Sequence, residues 1–222
     1  SKVANLVGKN DRDMKKIALF GASGKTGRQF LEQALAQGYE VKALVRSGKL
    51  PASSGSLQII QGDVLDPAAV EKTVAGTDMV VSLFGHVKGS PEWLQTNGTR
   101  NIAEAMKKHG IRKIISLSGG GLPYQEDKPK FADHLIRGIM KVFVPKILND
   151  AKRHAEVLEA SGLDWIIVRG PRLTDDIKQG KYRVGWVGVN ASTQVGRADL
   201  ADFIVKQVND DSFVRKMPFV SY

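Results

Sequence analysis

An α/β doubly wound parallel sheet with helices on both faces is the fold class this sequence predicts, and three observations carry it. Short apolar segments alternate with segments of helical periodicity from Lys15 onward. The run at 79–84 is apolar almost throughout, as in a strand buried on both faces of a parallel sheet. A turn with three spaced glycines, Gly21-Ala-Ser-Gly24-Lys-Thr-Gly27, stands directly between the first strand and the first helix. Such alternation calls for right-handed crossovers that put helices on both faces.

The first strand is Lys16–Phe20, ending at Gly21. Over 26–37, Phe30, Leu31, Ala34 and Leu35 recur at helical spacing until Gly38 stops them. Glu40–Val45 and 57–60 are the second and third strands. Asp66 is the expected N-cap of a helix over Pro67–Val74, with proline at its first position. The strand at 79–84 follows, then a helix at 97–109, a strand at 113–117, a helix at 150–160 closed by Ser161-Gly162, and a sixth strand at 165–168.

One segment breaks the rhythm. Residues 119–149 separate a strand from its helix by roughly thirty residues, too many for a plain connection. Within them Leu135, Ile136, Ile139, Met140 and Phe143 repeat at helical spacing. Two readings stand: a cover over a ligand, or an extra helix packed on the sheet edge. As a cover it would wall an acceptor site, burying one face and pressing Leu135, Ile139 or Phe143 toward a flat ring.

With 222 residues, 42% of them apolar, the chain can bury one large core, and 14–222 reads as a single domain. Residues 1–13 are polar, and Met14-Lys15-Lys16 resembles a natural start, so they read as an extension or an expression remnant. No apolar run approaches the ~20 residues of a membrane span. The absence of cysteine rules out disulfides and thiolate chemistry, and fits a reducing, cytoplasmic setting. The balance of 33 basic against 23 acidic residues gives +10. The charges are interleaved without a block or an aromatic pattern, which favours a surface that attracts an anionic small molecule over a nucleic-acid binder. No membrane partner is expected.

In Gly21–Gly27 the first glycine permits a tight turn, the second lets a pyrophosphate approach the backbone, and the third packs helix on strand. Free N–H groups at the helix start meet the phosphate charge. This is a Rossmann-type nucleotide turn, and Gly21, Ser23, Gly24, Lys25, Thr26 and Gly27 are its candidate contacts. Lys25-Thr26 echoes a P-loop ending, but the loop from Gly21 is too short for one. The second strand ends Leu44-Val45-Arg46 with no acid to hold free ribose hydroxyls. Arg46 can fork onto a 2′-phosphate, so NADP (NADPH) is favoured over NAD, with Lys49, Lys25 or Arg28 adding charge. Asp63 and Val64 close the third strand. Asp63 is read either as an acceptor for the adenine amino group or as a turn residue. Phe84 and Gly85 close the fourth strand beside the ribose region. His86 follows, as a bystander or a group near substrate.

These residues resemble the atypical short-chain dehydrogenase/reductase family, in its flavin reductase-like (biliverdin reductase B-like) group. The resemblance rests on KKIALFGASGKTG at 15–27, ALVR at 43–46, GDV at 62–64, TVAGTD at 73–78, SGLDWIIVRGPRLT at 161–174 and GRADLADF at 196–203. It implies a nicotinamide cofactor across the strand ends, with Ser118 and Lys152 as catalytic candidates that also bind the cofactor, and Pro171 beside them. The Tyr-x-x-x-Lys pair of the wider superfamily is broken: aligning the helix at 150–160 puts Leu148 at the tyrosine position and Lys152 at the lysine position. A literal Tyr124-x-x-x-Lys128 follows its strand too closely and precedes Pro129, so it is read as coincidence.

Without that tyrosine, ketone chemistry lacks its proton donor. A flavin, as substrate rather than prosthetic group, a quinone or a tetrapyrrole needs only hydride delivery, with solvent supplying the proton. The expected activity is therefore NADPH-dependent reduction of a small planar acceptor. The alternative is a non-catalytic NADP-binding, redox-sensing regulator.

Overall fold

The computed structural model describes residues 14–51 and 53–222, so the expected extension at 1–13 lies outside the described residues. The chain runs β1 (Lys16–Phe20), α1 (Lys25–Ala36), β2 (Glu40–Val45), β3 (Leu57–Gln61), α2 (Pro67–Val74), β4 (Met79–Ser82), α3 (Leu94–Lys108) and β5 (Lys113–Gly119). It continues with α4 (Phe131–Phe143), α5 (Pro145–Ala160), β6 (Asp164–Gly170), β7 (Arg172–Thr174), β8 (Arg183–Gly185), β9 (Gln194–Gly196), α6 (Arg197–Gln207) and β10 (Phe219–Ser221).

Eight strands form one sheet in the order β3-β2-β1-β4-β5-β6-β10-β8, and β7 pairs with β9 separately. All neighbours in the large sheet are parallel except the edge strand β8, which runs antiparallel to β10. The order reverses between β1 and β4, and ligands of open α/β sheets lie outside the strand ends at such a switch point. Two apolar layers fill the faces. Phe30, Leu31, Leu200, Phe203 and Ile204 of α1 and α6 cover one face, and Val70, Ile102, Met106, Ala155 and Leu158 of α2, α3 and α5 cover the other.

Several expected boundaries shift, each for a reason outside the local pattern. The strand expected at 79–84 stops at Ser82, because the chain then leaves the ladder to pass over Gly21. The helix expected at 97–109 begins at Leu94, because the buried Asp150 carboxylate accepts the N–H groups of Gln95 and Thr96 and so caps α3 from another helix. The helix expected at 150–160 begins at Pro145, which occupies a first-turn position suited to proline. The strands expected at 113–117 and 165–168 reach Gly119 and Gly170, in register through Leu117↔Val168 and Gly119↔Gly170.

Beneath the sheet, His154 of α5 and Ser116 of β5 hydrogen-bond at 2.8 Å. Burial pushes the imidazole down to about 4, the nearby Asp150 charge opposing that only in part. His154 is therefore a neutral core residue at ordinary pH.

Candidate active site

Gly21 has φ +83°, and a Cβ there would meet the Phe84 nitrogen at 2.4 Å, so β1 can turn beneath the chain leaving β4 only through a glycine. At Gly27 a Cβ would come within 2.0 Å of the Gly21 carbonyl oxygen, which allows α1 to sit tightly on the turn. Gly24 is different. It is the N-cap of α1, and a Cβ there meets only the Gly21 oxygen, at an ordinary 3.4 Å. Protein packing does not require glycine at 24, whereas a phosphate seated over the turn would. The first turn of α1 contains no acidic residue, and no side chain caps its N–H groups. Its open end thus suits an anion.

Over this turn lies a hollow of about 180 Å³, lined among others by Gly21, Ser23, Gly24, Arg46, Ser47, Asp63, Val64, Phe84 and Gly85. The expected cofactor residues from four loops meet here. The Arg46 guanidinium lies 3.8 Å from the Asp63 carboxylate, with both groups partly exposed. Asp63 Oδ1 also accepts the N–H of Leu65, so its role as a turn residue is realised, with Oδ2 facing Arg46. Lys25 and Arg28 are occupied elsewhere. Lys25 pairs with Asp175 at 2.5 Å, and Arg28 donates to the carbonyls of Ser23 and Lys49, bracing the loop. Thr26 is buried in α1 and does not line the hollow.

Leu83, Phe84 and Gly85 also border a second hollow, of about 250 Å³, whose other walls include His86, Gln95, Leu117, Ser118, Gly119, Ile147, Gly170 and Pro171. Ser118 Oγ is buried and makes no hydrogen bond, an orphan that a polar ligand group would satisfy. His86 lines this hollow too, and its Nε2 lies 2.6 Å from Asp150 Oδ2. Lys152 is half-buried on α5 and does not line this hollow, whereas Ile147, two turns of α5 from His154, does.

Gly119, Gly170 and Pro171 are shared with a third hollow, of about 370 Å³. The helix α4 forms one wall of it, through Asp133, Ile136, Arg137 and Met140, and Arg172, Val187, Thr193 and Phe219 line the rest. The segment at 119–149 is thus helical and borders a cavity, but with a correction. Leu135, Ile139 and Phe143, expected to press on a ring, point to solvent, and Ile136 and Met140 face the cavity instead. No residue of α4 is buried.

The Tyr124–Lys128 stretch is a turn locked by Asp127. That carboxylate accepts two bonds from the fully buried Arg169, one from Arg137, and the N–H groups of Tyr124 and Val187. Burial alone would raise the Asp127 carboxyl, but Arg169 and the two N–H donors outweigh it and hold it below the usual range. The Tyr124 ring packs on Trp186 and the Arg169 guanidinium, and burial raises its hydroxyl above the ordinary value, the opposite of what a catalytic tyrosine needs. The hub and the His86–Asp150 pair escaped the sequence reading. Arg169 at the end of an apolar strand was the available signal, since a cation buried in a sheet requires a carboxylate.

The NAD(P)H-binding family model matches residues 21–211. An uncharacterized protein of Mycobacterium tuberculosis is 28% identical over 200 residues, 90% of this chain and 19% of that protein, so the chain spans about a fifth of this relative's length. A short-chain dehydrogenase/reductase of Veillonella parvula, solved with NADP, superposes with a TM-score of 0.78 at 19% identity, covering 94% of each chain. An anaerobillin reductase of Escherichia coli O157:H7 superposes at 0.71 with 22% identity, covering 93% of this chain and 96% of the other.

Proposed function

The chain belongs to the NAD(P)H-binding family, and on that premise we propose that it is an NADPH-dependent reductase of flavin or another planar conjugated acceptor, such as a quinone or tetrapyrrole. The observation that carries this reading is that the three hollows share walls: the nucleotide hollow and the Ser118 hollow share Leu83, Phe84 and Gly85, and the Ser118 hollow and the α4-walled one share Gly119, Gly170 and Pro171. The solved structures named for a complex with NADP and for an anaerobillin reductase support it at the level of fold.

Gly21, Gly24 and the start of α1 hold the pyrophosphate, Arg46 with Ser47 the 2′-phosphate, and Asp63 with Val64 the adenine. Phe84, Gly85 and Pro171 flank the ribose and the reactive end. The bound nicotinamide supplies the hydride. Ser118, with its unpartnered hydroxyl, orients that end, whereas Lys152, the lysine position of the resemblance, lines none of the three hollows and is given no role there. His86, held by Asp150, stands on the wall of the Ser118 hollow, and solvent supplies the acceptor's proton. Among the described residues no tyrosine lines the three hollows, and the apolar wall of Ile136, Met140 and Phe219 suits a flat ring.

Steady-state NADPH oxidation with free flavin, a soluble quinone and an aliphatic ketone tests the reading. Flavin or quinone should sustain turnover and the ketone should not. Ketone reduction alone would refute it, and NADPH binding without any turnover would turn the assignment to a redox-sensing regulator.

A further inference from the structure

We infer that α4 docks the protein onto an anionic lipid surface. At about 100° per residue, Phe131, Leu135, Ile139, Val142 and Phe143 fall within one arc of roughly 120°. Every one of them is exposed, by 85, 57, 50, 74 and 77% respectively. The opposite side of the helix, with Asp133, Arg137 and Met140, faces the third hollow. The helix is therefore inverted: Asp133 and Arg137 meet protein while its apolar arc meets water. A contiguous apolar surface of this kind marks a contact with something that covers it.

The charges decide what covers it. His134 and Lys141 lie on one flank of the arc, Lys130 caps the helix, Lys128 precedes it and Lys146 follows it, and the one acid on α4, Asp133, is turned to the hollow. Lys146 pairs with Glu92 at 3.4 Å, and among the described residues the ammonium groups of the other three lysines form no ion pair. Two copies meeting through α4 would bring these lysines together without partners. A bilayer carrying phosphate headgroups neutralises them while the phenylalanines and branched aliphatics enter the acyl boundary, the pattern of an interfacial amphipathic helix. The overall charge of +10 adds long-range attraction to the same surface. No helix among the described residues is long and apolar enough to cross a membrane, so the contact is peripheral. This revises the expectation of no membrane partner, which rested only on the lack of a spanning run.

The full chain, without cofactor, is floated with vesicles of phosphatidylglycerol and phosphatidylcholine in equal parts, and separately with pure phosphatidylcholine. The anionic vesicles should bind it at least tenfold more strongly, and raising the salt should weaken that binding. The double variant Leu135→Glu, Ile139→Glu should lose at least tenfold, with its circular dichroism and melting unchanged because both side chains are already exposed. Lys130→Glu with Lys141→Glu should reduce binding to the phosphatidylcholine level. Wild-type protein that stays free of anionic vesicles overturns the inference. So does a Leu135→Glu, Ile139→Glu variant that binds them undiminished, and so does a dimer in light scattering that this variant dissolves into monomers.

Discussion

His86 Nε2 lies 2.6 Å from Asp150 Oδ2, and the same wholly buried carboxylate receives the N–H of Gln95 at 2.8 Å, the N–H of Thr96 at 2.9 Å and the Thr96 hydroxyl. One side chain of α5 thus caps α3 and fixes the ring that overlooks the Ser118 hollow. Asp150→Asn keeps the shape but removes the charge and an acceptor, so it should cost about 1–3 kcal/mol of stability. His86→Asn removes only one partner and should cost less. Urea unfolding of both variants checks this, and a midpoint unchanged in Asp150→Asn would show that the carboxylate does not hold α3.

The glycine turn separates folding from binding within a few residues. Gly24→Leu should fold normally, since its Cβ has room, yet lose NADPH binding by blocking the phosphate approach. Gly27→Ala should instead destabilise the whole domain, because its Cβ would lie 2.0 Å from the Gly21 oxygen. Calorimetry for binding and thermal melting for stability distinguish the two. Full NADPH affinity in folded Gly24→Leu would remove the turn from the cofactor site.

Arg46 lies at the end of β2 on the wall of the same hollow, with Asp63 3.8 Å away. Replacing it with alanine should weaken NADPH binding by about 1–3 kcal/mol, the scale of hydrogen bonds to a charged group, and leave NADH nearly unchanged. Titration with both cofactors reads the difference. Equal losses would mean that Arg46 braces the loop rather than reads a phosphate.

What the sequence displayed well was whatever recurs locally. The six core strands and the spaced glycines of the turn are patterns within a few residues of one another. The misses were all long-range. The capping of α3 by Asp150 joins positions 54 and 55 residues apart, and the grip of Arg169 on Asp127 spans 42. The orientation of α4 was the deepest miss. Its periodicity announces a helix with an apolar face, but only the fold determines which way that face turns.

His154 makes stability depend on pH. Its folded pKa is about 4 against 6.5 for the free side chain, so between these values the unfolded chain binds more protons than the folded one. Its contribution is complete above pH 6.5 and is lost as pH falls toward 4, at up to about 1.4 kcal/mol per pH unit. Stability measured by urea unfolding from pH 7.5 to 4 should fall accordingly. His154→Gln should be less stable at pH 7 but show a flatter slope across that window. An identical slope in the variant would assign the pH dependence to other groups.

The third hollow should also discriminate among planar acceptors. Arg137 is engaged by Asp127, which already holds Arg169, so two guanidiniums share one carboxylate. Arg172, on the wall of the same hollow, has no carboxylate partner among the described residues, and its backbone N–H goes to the Thr193 carbonyl. Cationic surplus beside an apolar wall favours a flat ring that carries a carboxylate or phosphate, since a guanidinium binds either through paired hydrogen bonds. FMN and riboflavin share one ring system and differ in a single phosphate, so comparing them isolates this contact. Arg172→Gln should raise the KM for FMN about tenfold, the equivalent of ~1.4 kcal/mol, and leave that for riboflavin within about twofold. NADPH affinity should not move, because Arg172 does not line the nucleotide hollow. Equal changes for the two flavins would make Arg172 a wall of the cavity and not a reader of charge.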